Sequence, residues 1–147
     1  MNAEIRPADL RAVRRLRHLV LRPHQRPEDL VYDGDGTPDA LHLGAFEDDR
    51  LLAIASIARE APPGGDEADA WRIRGMATLP EARGRGLGGR LLEACVEHAR
   101  RHGGSLVWCN GRVPATAFYE RHGFRIVRGP FDVPAIGPHH ELHLSLR

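Results

Sequence analysis

Apolar residues Leu10, Val13, Leu16 and Val20 recur at helical spacing and Pro23 stops the run, so residues 7–22 predict an amphipathic helix. Its opposite side carries Arg11, Arg14, Arg15, His18 and Arg22, a stripe read as a solvated face. Residues 3–5 predict a short first strand. The proline-rich stretch 23–39 predicts a loop with a helical turn near Pro27. Runs 40–46 and 51–59 are β-compatible and flank a polar tetrapeptide, which predicts a hairpin. A polar loop over 62–69 leads to a strand at 71–78. A glycine-rich turn then opens a helix over 88–102 with Leu91, Leu92, Cys95 and Ala99 on one face, ended by basic residues and Gly103-Gly104.

Residues 105–109 predict a buried strand. Pro114 opens a short second helix that Gly123 closes, because proline costs no hydrogen bond in a first helical turn. Strands at 124–128 and 139–146 complete the order. In the last of these, Leu142, Leu144 and Leu146 alternate with His139, Glu141, His143 and Ser145, which predicts one packed face and one solvated polar face. The order strand, helix, three strands, helix, strand, helix, two strands places the chain in the α/β (α+β) class, without repeats.

A chain of 147 residues predicts a single domain over residues 1–147. Hydrophobic residues at 41% and charged residues at 28% exclude a disordered chain, and no apolar run is long enough to span a membrane. Charges at Glu4, Arg6 and Asp9 interrupt any secretory signal, so a cytoplasmic location is expected. Cys95 and Cys109 fall in apolar segments and are read as buried thiols, and no metal site is expected. A net charge of +1 excludes polyanion binding by the whole surface, so neither nucleic acid nor membrane is an expected partner. All 21 basic residues are arginine, which rules out a Walker-type lysine, a Schiff-base lysine and a lysine base.

The turn Arg83-Gly84-Arg85-Gly86-Leu87-Gly88-Gly89 joins a strand to a helix, where free backbone N–H groups meet the positive end of the helix dipole. Such a turn can cradle a diphosphate. The short pattern is weak by itself in a chain with 21 arginines and 16 glycines. A dinucleotide-binding reading fits poorly, because the turn follows a mainly antiparallel run of strands rather than opening a βαβ unit.

About thirty residues on stand Trp108-Cys109-Asn110-Gly111-Arg112 and Ala115-Thr116-Ala117-Phe118-Tyr119-Glu120-Arg121-His122-Gly123-Phe124. Together with the segment from Met76 to Gly88, they make the chain resemble the GNAT superfamily of acyl-CoA-dependent N-acetyltransferases. The resemblance covers residues 40–147 by element order and is specific over 71–124. It implies a mixed, mostly antiparallel sheet of about seven strands, flanked by helices and splayed between strands 4 and 5. It also implies acetyl-CoA as cofactor and direct attack of a primary amine on the thioester. By the same resemblance, the pantetheine arm would lie along Met76, Ala77 and Thr78, with the Met76 N–H polarising the thioester carbonyl. The diphosphate would rest on amides of Arg83, Gly84, Arg85, Gly86, Leu87, Gly88 and Gly89, and Asn110 would touch the cofactor arm. Tyr119 would protonate the departing thiolate, a role suited to a phenol that stays protonated at neutral pH. Phe118 is assigned to the core.

The base that receives the amine proton is left open among Glu60, His139, Glu141 and His143. The first 39 residues would shape the acceptor pocket. Loop acids Asp33, Asp35, Asp66, Glu67 and Asp69 are read first as solvated, with a preference for a cationic amine as the other reading; a small molecule is the default acceptor and a protein amine the other possibility. A homodimer is a family habit. The alternative function is a non-catalytic acyl-CoA-binding regulatory module that uses the Arg11–Arg22 stripe for a partner.

Overall fold

A computed structural model describes residues 3–147. One seven-stranded sheet runs in the order β1-β2-β3-β4-β5-β7-β6, from β1 (Glu4–Pro7), β2 (Leu41–Glu47), β3 (Arg50–Arg59), β4 (Ala70–Thr78), β5 (Leu106–Arg112), β6 (Arg125–Val133) and β7 (Gly137–Ser145). All neighbours are antiparallel except β4 and β5. Helix α2 (Leu87–Arg101) covers one face, and α1 (Leu10–Leu16) packs against β3 on the other. This is the mixed, helix-flanked sheet that the family resemblance implies.

The apolar pattern explains the layering. Residues Leu52 through Ile57 are buried without alternation, as a strand covered on both faces must be. Leu87, Leu91, Leu92, Cys95, Val96 and Ala99 make the buried stripe of α2. The helix stops where the Gly104 N–H donates to the Ala99 carbonyl at 2.8 Å and Gly103 turns to φ +76°. A Cβ at Gly104 would lie 2.9 Å from the fully buried Trp71 ring, so the stop also leaves room for the core.

Three expectations are corrected. The first helix is not α-helical to Arg22: the chain widens into a π-helical turn over Arg17–Leu21, closed by the Arg22 N–H on the Arg17 carbonyl at 3.0 Å. The wide turn carries Arg17 to complete burial and leaves Leu19 56% exposed, and of the basic stripe Arg14, His18 and Arg22 are half-buried while Arg11 and Arg15 are exposed. Second, β6 runs on to Val133 through a cis Gly129–Pro130 bond, because an edge strand tolerates the register shifts and missing donor that a proline imposes. Third, β7 is interior, between β5 and β6. Its polar side is therefore not solvated: His139 and Glu141 are buried and His143 nearly so.

Candidate active site

The site begins where the sheet opens. Strands β4 and β5 pair only over Ala70–Leu106, Trp71–Val107 and Arg72–Trp108, and beyond those pairs the two strands diverge. On its other edge β4 is bulged: Ala77 pairs with Ile54 and Arg74 with Ser56, so Gly75 and Met76 together face a single β3 residue. Gly75 takes φ +65°, and a Cβ there would meet the Arg17 side chain at 3.0 Å. The bulge thus leaves Met76 without a register partner on either edge.

A cavity of about 330 Å³ fills this wedge, with Met76 on one wall and Asn110 and Tyr119 on the other. The Tyr119 hydroxyl donates to the Met76 sulfur at 3.7 Å, a weak acceptor for a strong donor. Tyr119 is buried apart from the ring surface turned to the cavity. Burial pushes its phenol above the ordinary value, and the neighbouring Cys109 thiol adds to the effect. Gly111 makes room for the ring, since a Cβ there would lie 2.7 Å from Tyr119 Cε2. No role for Gly111 was legible in the chain alone, because the contact joins residues on different elements.

Asn110 Oδ1 is buried with no hydrogen-bond partner, although it borders the cavity. A buried acceptor of this kind is satisfied by a donor from a water or a ligand. At the head of α2, Gly86 takes φ +75° as N-cap and no side chain caps the first turn. Open space surrounds the positions where Gly84 and Gly86 would carry a Cβ. Phosphate oxygens can therefore approach the first-turn amides closely. The remaining turn residues divide: Arg83 is exposed, Arg85 pairs with Glu47 at 2.7 Å, Leu87 is in the core and Gly89 lies beneath His122. Of Leu87, only the backbone is on offer. Ala77 and Thr78 are laddered to β3, so their contribution would also come from the wedge edge of the backbone. Phe118 is half-buried and packs against the core, with its ring 5.1 Å from that of Tyr119.

The family model described as Acetyltransferase (GNAT) family matches residues 9–124. The chain belongs to the GNAT family. Its reaction is therefore acetyl transfer from acetyl-CoA to an amine acceptor. The Bacillus subtilis (strain 168) protein named Uncharacterized N-acetyltransferase YitI is 35% identical over 144 residues, 98% of this chain and 97% of its own. Among solved structures, Escherichia coli ElaA superposes with a TM-score of 0.80 at 20% identity over 97% of this chain and 99% of its own. The Salmonella typhimurium yncA structure, which holds acetyl-CoA, superposes with a TM-score of 0.78 at 19% identity over 100% and 95%. The open cradle at Gly84 and Gly86, the uncapped α2 and the orphaned Asn110 oxygen all fit the acetyl-CoA that a GNAT protein uses.

The four candidate bases are not equivalent. Glu60 accepts from Arg72 at 2.9 Å, and Glu141 is held by Arg128 at 3.1 Å and His143 at 2.8 Å. Only His139 borders the cavity. Its Nδ1 lies 2.9 Å from the Gly137 carbonyl, which can only accept, so Nδ1 carries the hydrogen and the neutral ring keeps its lone pair on Nε2.

The loop acids do not form a cationic-amine pocket either. Asp35 is buried against Arg17, Asp69 pairs with Arg59 and Arg147, and none of the five borders the cavity. Leu21, Arg22 and Tyr32 from the first 39 residues do border it. Among the described residues no helix is long and apolar enough to cross a membrane, and no His, Cys, Asp or Glu cluster could hold a metal ion.

Both thiols are buried, and burial pushes each up to about 12. The native protein should consume almost no Ellman reagent at pH 8, and two equivalents once unfolded in guanidinium. Rapid reaction of either cysteine in the native state would contradict this burial.

Proposed function

We propose that residues 1–147 form one cytoplasmic N-acetyltransferase domain that acetylates the primary amine of a small-molecule acceptor bound in the wedge between β4 and β5. Acetyl-CoA supplies an activated acyl carbon and a thiolate leaving group. The Met76 N–H donates to the thioester oxygen, where negative charge grows as the amine attacks. The first-turn amides of α2, with those of the turn from Arg83, hold the diphosphate, and Asn110 accepts from the cofactor arm.

Tyr119 delivers its proton to the sulfur as the carbon–sulfur bond breaks. Its raised pKa keeps that proton in place at neutral pH, while its weak Met76 partner leaves the donor free to turn to the sulfur. His139 Nε2 takes the proton lost by the amine. The observation that carries this reading is that Met76, which has no register partner on either edge, lines one cavity together with Asn110, Tyr119 and His139.

Calorimetric titration with acetyl-CoA, followed by release of free CoA thiol across an amine panel, tests the proposal. Saturable binding with turnover supports it; binding without turnover would favour a non-catalytic acyl-CoA module. His139→Gln should lower kcat/KM by about 10²-fold with acetyl-CoA affinity unchanged. An unchanged kcat/KM would remove His139 from the role.

A further inference from the structure

The cavity walls carry an uncompensated charge that acetyl transfer itself does not use. Arg22, Arg72, Arg74 and Arg112 border the cavity from the π-helical turn, β4 and β5, and no aspartate or glutamate among the described residues does. Arg72 is answered by Glu60 at 2.9 Å. Arg22, Arg74 and Arg112 make no ion pair among the described residues, although all three are half-buried. Arg112 has one anchor, its Nη2 donating to the Leu21 carbonyl at 3.2 Å, and Arg22 donates to the same carbonyl at 3.1 Å. Asp33 shares a small crevice with Arg74 but does not pair with it.

Arg74 is held by stacking rather than by charge. Its guanidinium lies 4.3 Å from the centroid of the Tyr32 ring, over which the Arg17 guanidinium also lies at 4.0 Å. Arg17 is fixed by a fork of bonds to Asp35 at 2.8 and 3.1 Å. The chain Asp35–Arg17–Tyr32–Arg74 thus presents a pre-positioned guanidinium to the cavity with its N–H donors unspent. Burial and the neighbouring Arg72 charge both work against the charged form of Arg74, as burial and Arg22 do for Arg112. A fold that gathers like charges in this way gains from an anion that satisfies them.

Size narrows the class. About 330 Å³ must hold the reacting end of the cofactor as well as the acceptor, which leaves room for a molecule of amino-acid size. We propose that the acceptor is a small amine that also carries a carboxylate, which Arg74 and Arg112 bind while its amine points to the thioester between Met76 and Tyr119. The inference rests on the acetyl-transfer reading above. The N–C bond forms as the C–S bond breaks, the sulfur takes the Tyr119 proton and the amine gives one to His139. The products are an N-acetylated carboxylate and CoA. This reverses the preference for cationic amines that the loop acids suggested.

The test is a panel of the common α-amino acids plus 4-aminobutyrate, each beside its carboxamide and its decarboxylated amine, with O-phosphoethanolamine as a phosphate probe. At least one carboxylate should exceed both of its partners that lack the carboxylate in kcat/KM by about tenfold or more. Arg74→Gln should shrink that ratio below about threefold through KM, with kcat and acetyl-CoA affinity nearly unchanged, and Arg74→Lys should restore part of it. Four results would overturn the proposal: partners lacking the carboxylate equal to or better than the carboxylates; no carboxylate turned over; preference for the phosphate probe; or tenfold weaker acetyl-CoA binding in Arg74→Gln, which would place the arginine on the cofactor. Absence of any acetyl-CoA binding by the wild-type chain would instead sink the acetyl-transfer reading, so the two failures are separable.

Discussion

Replacing Tyr119 by phenylalanine is expected to lower kcat by roughly 10²–10⁴ while the Kd for acetyl-CoA changes by less than about twofold. The substitution deletes one oxygen from a ring whose packing is set by Gly111, Phe118 and Phe124, so the aromatic body should stay in place. The hydroxyl bonds to the Met76 sulfur and the Cys109 thiol, both weak partners, so its loss should cost little stability. In the proposed mechanism, however, its proton goes to the departing thiolate, so its loss should slow the transfer. Stopped-flow detection of CoA thiol and calorimetry with acetyl-CoA separate the two quantities. An unaltered kcat would take Tyr119 out of the chemistry, and an equal loss of cofactor affinity would make it a binding residue.

Arg17→Met should destabilise the fold by about 3–5 kcal/mol, because it strands the Asp35 carboxylate in the interior. For a chain of this length that is a fall in Tm of roughly 6–20 °C. Arg17 is fully buried, and its guanidinium binds Asp35 twice, the Leu30 carbonyl at 2.9 Å and the Ser56 hydroxyl at 3.1 Å. His42 closes the network, reaching Ser56 at 2.7 Å and the Asp35 carbonyl at 2.9 Å. The double variant Arg17→Met, Asp35→Leu should recover part of the loss, since an apolar pair leaves no unmatched charge. If the double variant were as unstable as the sum of the two single ones, the pair would not be coupled.

The pH dependence follows from the same pair. Burial works to raise the Asp35 pKa, but hydrogen bonds from Arg17 and the Tyr32 N–H, with the Arg17 charge, bring it below the ordinary value. A depressed folded-state pKa contributes stability that is present above the unfolded value of about 3.9 and lost as pH falls through the folded one. Denaturation of Asp35→Asn and wild type should therefore converge as pH falls below about 4.

Much of the scaffold was readable in the chain because local rules and burial agree there. The stripe of α2 is a 3.6-residue period that solvent exposure enforces, and Gly103-Gly104 stop it for a conformational reason that travels with glycine. The hairpin of β2 and β3 was equally plain, with its tight turn through Asp48 at φ +56°. Arg17 was not readable. A single arginine next to Leu16 looks like its solvated neighbours until the π-helical turn and Asp35, eighteen positions away, bring it inside. The alternation in β7 misled for a related reason: period two shows that a strand has two faces, not what covers the second one.

By itself, then, the sequence determined which segments are helices and strands, the glycine turn able to hold a diphosphate, and the paired motifs that mark the family, since each depends on residues adjacent along the backbone. Tertiary structure alone decided the rest. Separating β4 from β5 beyond Arg72, and bulging β4 at Gly75, creates one cavity that gathers Met76, Asn110, Tyr119 and His139 with three arginines that make no ion pair among the described residues. The physical reason is that burial and Coulomb interactions depend on distance in space. No spacing along the chain specifies which charges the folded sheet will place face to face and which it will leave without a partner.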